Sequence, residues 1–93
     1  LEYENLSAQR FAVRFAAREA FFKALCQADP HHTLSFLALC RLVAVEKNNK
    51  IPVLAANWAT ILPHTNLILP ANIFLSLAHE KEYACAQVIL QKT

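Results

Sequence analysis

Apolar residues fall into two stripes at the start of the chain. Phe11, Phe15, Phe22 and Leu25 recur at spacings of four, seven and three, and Val13, Ala17, Ala20 and Ala24 run beside them. Spacings of three, four and seven are those of one helix face. From about Tyr3 to Cys26 there is no proline and alanine is abundant, which favours a helix over that stretch. Ser7 is the candidate N-cap if the helix starts late. The apolar band is too wide to face water, so a sheet or another subunit must cover it.

The pattern then changes. Cys26–Thr33 is a loop broken by Pro30, and the second half of Leu34–Glu46 has the Val-rich composition of a strand. Lys47–Lys50 (KNNK) is a turn in which an asparagine takes the positive-φ position that glycine would otherwise fill. Ile51–Leu54 returns as a strand, with Pro52 at an edge or a strand start. Ala55–Leu62 is a short helix ending before Pro63, with Trp58 packed on the sheet, and Pro63–Ala71 is a loop. Asn72–His79 alternates, with Ile73, Leu75 and Leu77 on one face and Ser76 on the other. A turn at Glu80–Glu82 leads into Tyr83–Leu90, whose nearly continuous apolar character predicts burial on both faces. The expected architecture is a single α+β domain over residues 1–93, a long helix packed on a small antiparallel sheet.

Composition adds an expectation of assembly. The hydrophobic share is 56% and the charged share 17%. A chain of 93 residues buries only a modest fraction of its surface alone, so an oligomer is expected. A net charge of +2 with no basic cluster among aromatics argues against a nucleic-acid partner. No run reaches the length of a membrane span, and no signal peptide is visible. Cys26, Cys40 and Cys85 are widely spaced and odd in number, without a CxxC pair. They read as small buried hydrophobes in a reduced, cytoplasmic setting. The chain has no glycine and no methionine, where average usage gives roughly six glycines. It opens on Leu1, so a fragment or an altered sequence is expected.

Candidate chemistry is concentrated in Arg14–Leu25, RFAAREAFFKAL. Glu19 and Lys23 stand four apart, acid before base, the favourable order on a helix, and beside them Arg14 and Arg18 form a second i,i+4 pair, of like charges that repel by a few tenths of a kcal/mol. This is either a solvated helix face or an arrangement that holds an anion and a cation together. His31 and His32 have no second ligand pair at a metal-binding spacing. His79, at a strand end beside a turn, is either a polar cap or a ligand contact.

Two motifs coincide in order. RFAAREAFFKAL resembles the signature helix of the holo-acyl-carrier-protein synthases, written around F-A-A-K-E-A-x-x-K-A. SLAHEKEYACAQVIL (Ser76–Leu90) resembles their C-terminal hairpin, S-[IL]-S-H followed by a turn and Y-A-x-A-x-V. The resemblance implies the 4′-phosphopantetheinyl transferase fold. It also implies a magnesium-dependent transfer of 4′-phosphopantetheine from coenzyme A to a serine of acyl carrier protein, releasing adenosine 3′,5′-bisphosphate. The family forms homotrimers with the sites between subunits. By resemblance Glu19 is the Mg²⁺ ligand, Lys23 lies beside the pyrophosphate, and Glu19 and Lys23 form the catalytic pair. Arg14, Lys23, Ser76 and His79 contact coenzyme A, Arg14 from the neighbouring subunit.

The sequence departs from the family at four places. The N-terminal strand, with a Gly-Ile-Asp motif supplying a second metal-binding aspartate, is missing. Arg18 stands where lysine is usual, Ala78 replaces the second serine of S-x-S-H, and Asn49 replaces the first-turn glycine. The first departure leads to the expectation of a truncated and weakly active chain. The competing expectations are a non-catalytic oligomeric interaction module and a degenerate synthase that has lost its metal.

Overall fold

A computed structural model describes residues 2–67, 70–79 and 84–91, with the backbone alone at 2–7, 9, 78, 79 and 84. In chain order the elements are α1 (Glu2–Ala28), α2 (Phe36–Cys40), β1 (Val43–Asn48), β2 (Ile51–Ala56), α3 (Trp58–Ile61), a 3₁₀ turn at Leu62–His64, β3 (Asn72–His79) and β4 (Ala84–Gln91). The class is α+β, as the sequence predicts. Among the described residues the strands form two separate antiparallel ladders, β1–β2 and β3–β4, rather than one continuous sheet. β3 lies beside β2, and α1 packs along β4 and β3.

The long helix exists for the expected reason, but a different stripe is buried. Ala17, Phe21 and Leu25, four residues apart, are fully covered. They form the core with Leu34, Leu39, Val43, Leu54 and Ile61. Phe11 and Phe15 remain 72% and 44% exposed. The error lies in phase: period 3.6 defines a wide band, and the sheet covers the edge of it that carries Phe21. Phe15 and Phe22 instead make T-shaped contacts with Phe36, at centroid separations of 5.6 and 5.5 Å. Ser7 lies inside the helix, which begins at Glu2, so it is not the cap.

α2 has only five residues and depends on its cap. The Ser35 hydroxyl accepts the Ala38 N–H at 3.2 Å, satisfying one free donor of the first turn. Asn57 does the same for α3, accepting the Thr60 N–H at 3.3 Å. That short helix is narrower than the expected Ala55–Leu62, because β2 continues to Ala56. Trp58 packs edge-on against Phe21 of α1 at 6.0 Å, so it meets the helix.

The first hairpin turns at Asn49 and Lys50, with φ of 51° and 67°. Two successive positive φ values are what a two-residue connection matched to strand twist requires. Asn49 is the residue the sequence marks for this role; Lys50 adopts it too. The pair next to the turn, Asn48–Ile51, is the hydrogen-bonded one, so Lys47–Pro52 is not. Pro52 therefore costs the ladder nothing.

In the second hairpin Ile73, Leu75 and Leu77 pack towards the core together with Ala86, Val88 and Leu90. Cys85, Gln87 and Ile89 are exposed. β4 is thus buried on one face, not two, and Cys85 is not a buried hydrophobe; Cys26 and Cys40 are half-buried. The expected turn at Glu80–Glu82 lies outside the described residues.

Candidate functional site

Glu19 and Lys23 lie on the flank of α1 that the sheet leaves open. The Lys23 ammonium donates to Glu19 Oε1 at 3.1 Å, with the two side chains 71% and 46% exposed respectively. Their spacing of four residues places them one turn apart, and neither has another polar partner among the described residues. Arg14 is exposed, one turn before Arg18. Arg18 is half-buried, and its Nε–H donates to the Val43 carbonyl at 3.0 Å. The second arginine of the expected ladder therefore ties the helix to the first hairpin.

Ser76 is exposed on β3, opposite Gln87. It lies on the hairpin face turned away from the side chains that pack with Ala17, Phe21 and Leu25. His79 ends β3, paired with Ala84; its side chain lies outside the described residues. α1 and the hairpin are in direct contact, yet Ser76 and the Glu19–Lys23 pair occupy different surfaces of the chain. One chain thus brings together Glu19 and Lys23, and does not bring Ser76 to them.

Mg²⁺ takes one or two carboxylates and completes its shell with substrate phosphates and water. Among the described residues no group of three or more His, Cys, Asp or Glu could hold a metal. Glu19 fits as a single carboxylate ligand, open to solvent, and among the described residues no second ligand beside it completes a protein site.

The sequence gives no sign of a polar cluster at the other end of α1. Asp29 is 5% exposed. Its Oδ2 accepts the Asn66 N–H at 2.8 Å, and its Oδ1 accepts the Asn66 side-chain amide and the His31 N–H, each at 3.3 Å. The Asn66 backbone donor holds its carboxyl below the ordinary value, against the opposing effect of burial. His32 is half-buried, and its Nδ1 accepts the Leu34 N–H at 3.2 Å. The ring proton is therefore on Nε2, which faces Cys26 Sγ at 3.2 Å. His64 accepts the Thr33 N–H through its carbonyl at 2.9 Å. These contacts explain the histidines as loop-fastening groups.

No known protein family, curated protein or solved structure matches the chain. Among the described residues no helix is long and apolar enough to cross a membrane.

Proposed function

We propose that the protein is a holo-acyl-carrier-protein synthase, transferring 4′-phosphopantetheine from coenzyme A to a serine of acyl carrier protein in the cytoplasm. The observation that carries this reading is spatial. Two motifs some sixty residues apart in sequence lie on elements that pack directly together, α1 and the β3–β4 hairpin. Within the first motif, Glu19 and Lys23 are already in contact.

In the transfer, the carrier serine oxygen forms a bond to the pantetheine-side phosphorus of the pyrophosphate. The bond from that phosphorus to the bridging oxygen breaks, adenosine 3′,5′-bisphosphate departs with that oxygen, and the serine proton passes to water. Such a reaction is mainly a matter of position and charge. Lys23 offsets negative charge on the pyrophosphate, and Arg14, free of other partners among the described residues, binds a coenzyme A phosphate. Ser76 and His79 contact coenzyme A from the hairpin. Glu19 would hold Mg²⁺ there, and the ion would supply positive charge to the reacting phosphate.

The separation of Ser76 from Glu19 within one chain supports a site completed by a neighbouring copy. The exposed Phe11 and Phe15 support the same assembly, a homotrimer. The test is modification of acyl carrier protein titrated with Mg²⁺, wild type against Glu19→Gln. Transfer should fall by orders of magnitude while the melting temperature changes little, because an exposed pair contributes about 0.3–0.5 kcal/mol. Equal rates with equal metal dependence would overturn the assignment. No transfer by either protein would leave the degenerate synthase or the interaction module.

A further inference from the structure

A cleft of about 430 Å³ opens where Arg18 of α1 meets the end of α2 and the β1–β2 hairpin. Its lining combines charge with small apolar side chains. Ala44 and Ala55 stand opposite each other in the β1–β2 ladder and form its floor, with only methyl groups to fill the space. Arg18 and Arg41 line it, and so does Glu46. Glu46 is on the same strand face as Ala44, two residues further along β1.

The arginines are positioned differently. The Arg18 guanidinium is fixed by its Nε–H on the Val43 carbonyl, which leaves its two terminal nitrogens without a partner among the described residues. Arg41 caps α2, and its side chain is exposed, with no side-chain partner among the described residues. Glu46 likewise has none. Three charges on one cleft, two of one sign and one of the other, are left unneutralised by the chain itself. Guanidinium groups bind carboxylate and phosphate oxygens in a directional way. The carboxylate of Glu46 would repel such an anion unless the other end of the ligand carried an N–H donor. From Val43, where Arg18 is anchored, to Glu46 is three strand residues, about 10 Å. The volume lies within the range of small-molecule sites, roughly 300–1,000 Å³.

We propose that this cleft binds a small dipolar molecule. Its carboxylate or phosphate lies between Arg18 and Arg41, its ammonium or amine reaches Glu46, and a short apolar span crosses Ala44 and Ala55. The site does not rest on the transferase reading. It uses none of the residues assigned to coenzyme A.

The experiment uses 6-aminohexanoate and 6-aminohexyl phosphate, which carry the same ammonium on a chain of similar length and end in a carboxylate and a phosphate respectively, with hexanoate as the control lacking the ammonium. Binding is read from the backbone amide shifts of Ala44 and Ala55 on titration. At least one dipolar probe should shift both amides saturably, and hexanoate should bind about ten-fold more weakly, the worth of one charge-assisted contact. Ala44→Leu, which fills the floor, should abolish the shifts at unchanged melting temperature. Glu46→Gln, on an exposed strand face, should make 6-aminohexanoate and hexanoate bind alike, and it tests the proposal even if Ala44→Leu does not fold. Absence of saturable shifts with both dipolar probes would overturn the proposal. So would saturable binding of 6-aminohexanoate to the wild type that is no tighter than that of hexanoate.

Discussion

The two halves of α1 have similar composition and different surroundings. From Ala17 to Leu25 the helix is held on every side the core can reach: Phe21 against Trp58, Leu25 fully buried, Arg18 bonded to β1. At its end the Asp29 N–H donates to the Leu25 carbonyl at 2.8 Å. From Ala8 to Phe15 the same helix presents alanine, arginine and phenylalanine largely to solvent. Helix propensity is as high in the second region as in the first, so propensity does not decide which half is anchored. Packing of one stripe against the hairpins does. The difference teaches that a helix can be specified locally along its whole length and stabilised globally along only part of it.

The largest test of that contrast is a pair of phenylalanine truncations. Phe21→Ala should cost about 3–5 kcal/mol, the range for a buried aromatic, measured by chemical denaturation. Phe11→Ala should change the stability of the separate chain by less than about 0.5 kcal/mol, as for an exposed site. In an assembled protein the Phe11→Ala loss should grow with protein concentration, since the residue is then covered. Equal losses at the two positions in the separate chain would erase the distinction between the halves.

A smaller effect concerns the anchored end. Asp29 has a carboxyl held below its ordinary value of 3.8, first by the Asn66 N–H. A group whose value is depressed on folding contributes stability that is fully present above the unfolded value and lost as pH falls through the folded one. Melting temperature should therefore decline below pH 3.8 more steeply in wild type than in Asp29→Asn. Parallel pH profiles would remove Asp29 from the list of anchoring groups.

The smallest effect belongs to the exposed flank of the anchored half, where Lys23 meets Glu19. Lys23→Gln should lower stability by no more than about 0.5 kcal/mol, and 1 M salt should abolish the difference. A loss above about 1 kcal/mol would mean that this pair is structural.

Much of the fold was legible in residues whose signal is local. The alternation of Ile73, Leu75 and Leu77 identifies β3 because its period of two has no helical equivalent, and KNNK identifies the hairpin because Asn49 tolerates positive φ. What was not legible depends on distant partners. Period alone could not choose the Phe21 stripe over the Phe11–Phe15 stripe, since the choice is made by which edge β4 covers. α2 escaped notice because five residues are too few for periodicity and its stability comes from Ser35 and the burial of Leu39. The nearly continuous apolar composition of β4 predicts burial on both faces, but Cys85, Gln87 and Ile89 face outwards, which only the position of the core decides. Asp29, next to Pro30, reads as a turn residue, and its burial depends on Asn66, thirty-seven positions later. For the candidate site, the Glu19–Lys23 contact was legible from spacing. The placement of Ser76 on another surface was not, because it follows from which face of a hairpin meets the core.

Asp29 with Asn66, and Thr33 with His64, join two points thirty-one to thirty-seven positions apart. The segment between them, carrying α2, the first hairpin and α3, packs Leu39, Val43, Leu54 and Ile61 into the core, and it begins and ends at one place. Its two ends are pinned there, so its outermost point, Asn49–Lys50, is free of any obligation to span a distance. Extending a closed excursion adds little entropy, about 0.6 kcal/mol for each doubling of length. The tip of the first hairpin is accordingly the natural insertion point of this chain, where a foreign segment can be carried without disturbing α1 or the second hairpin.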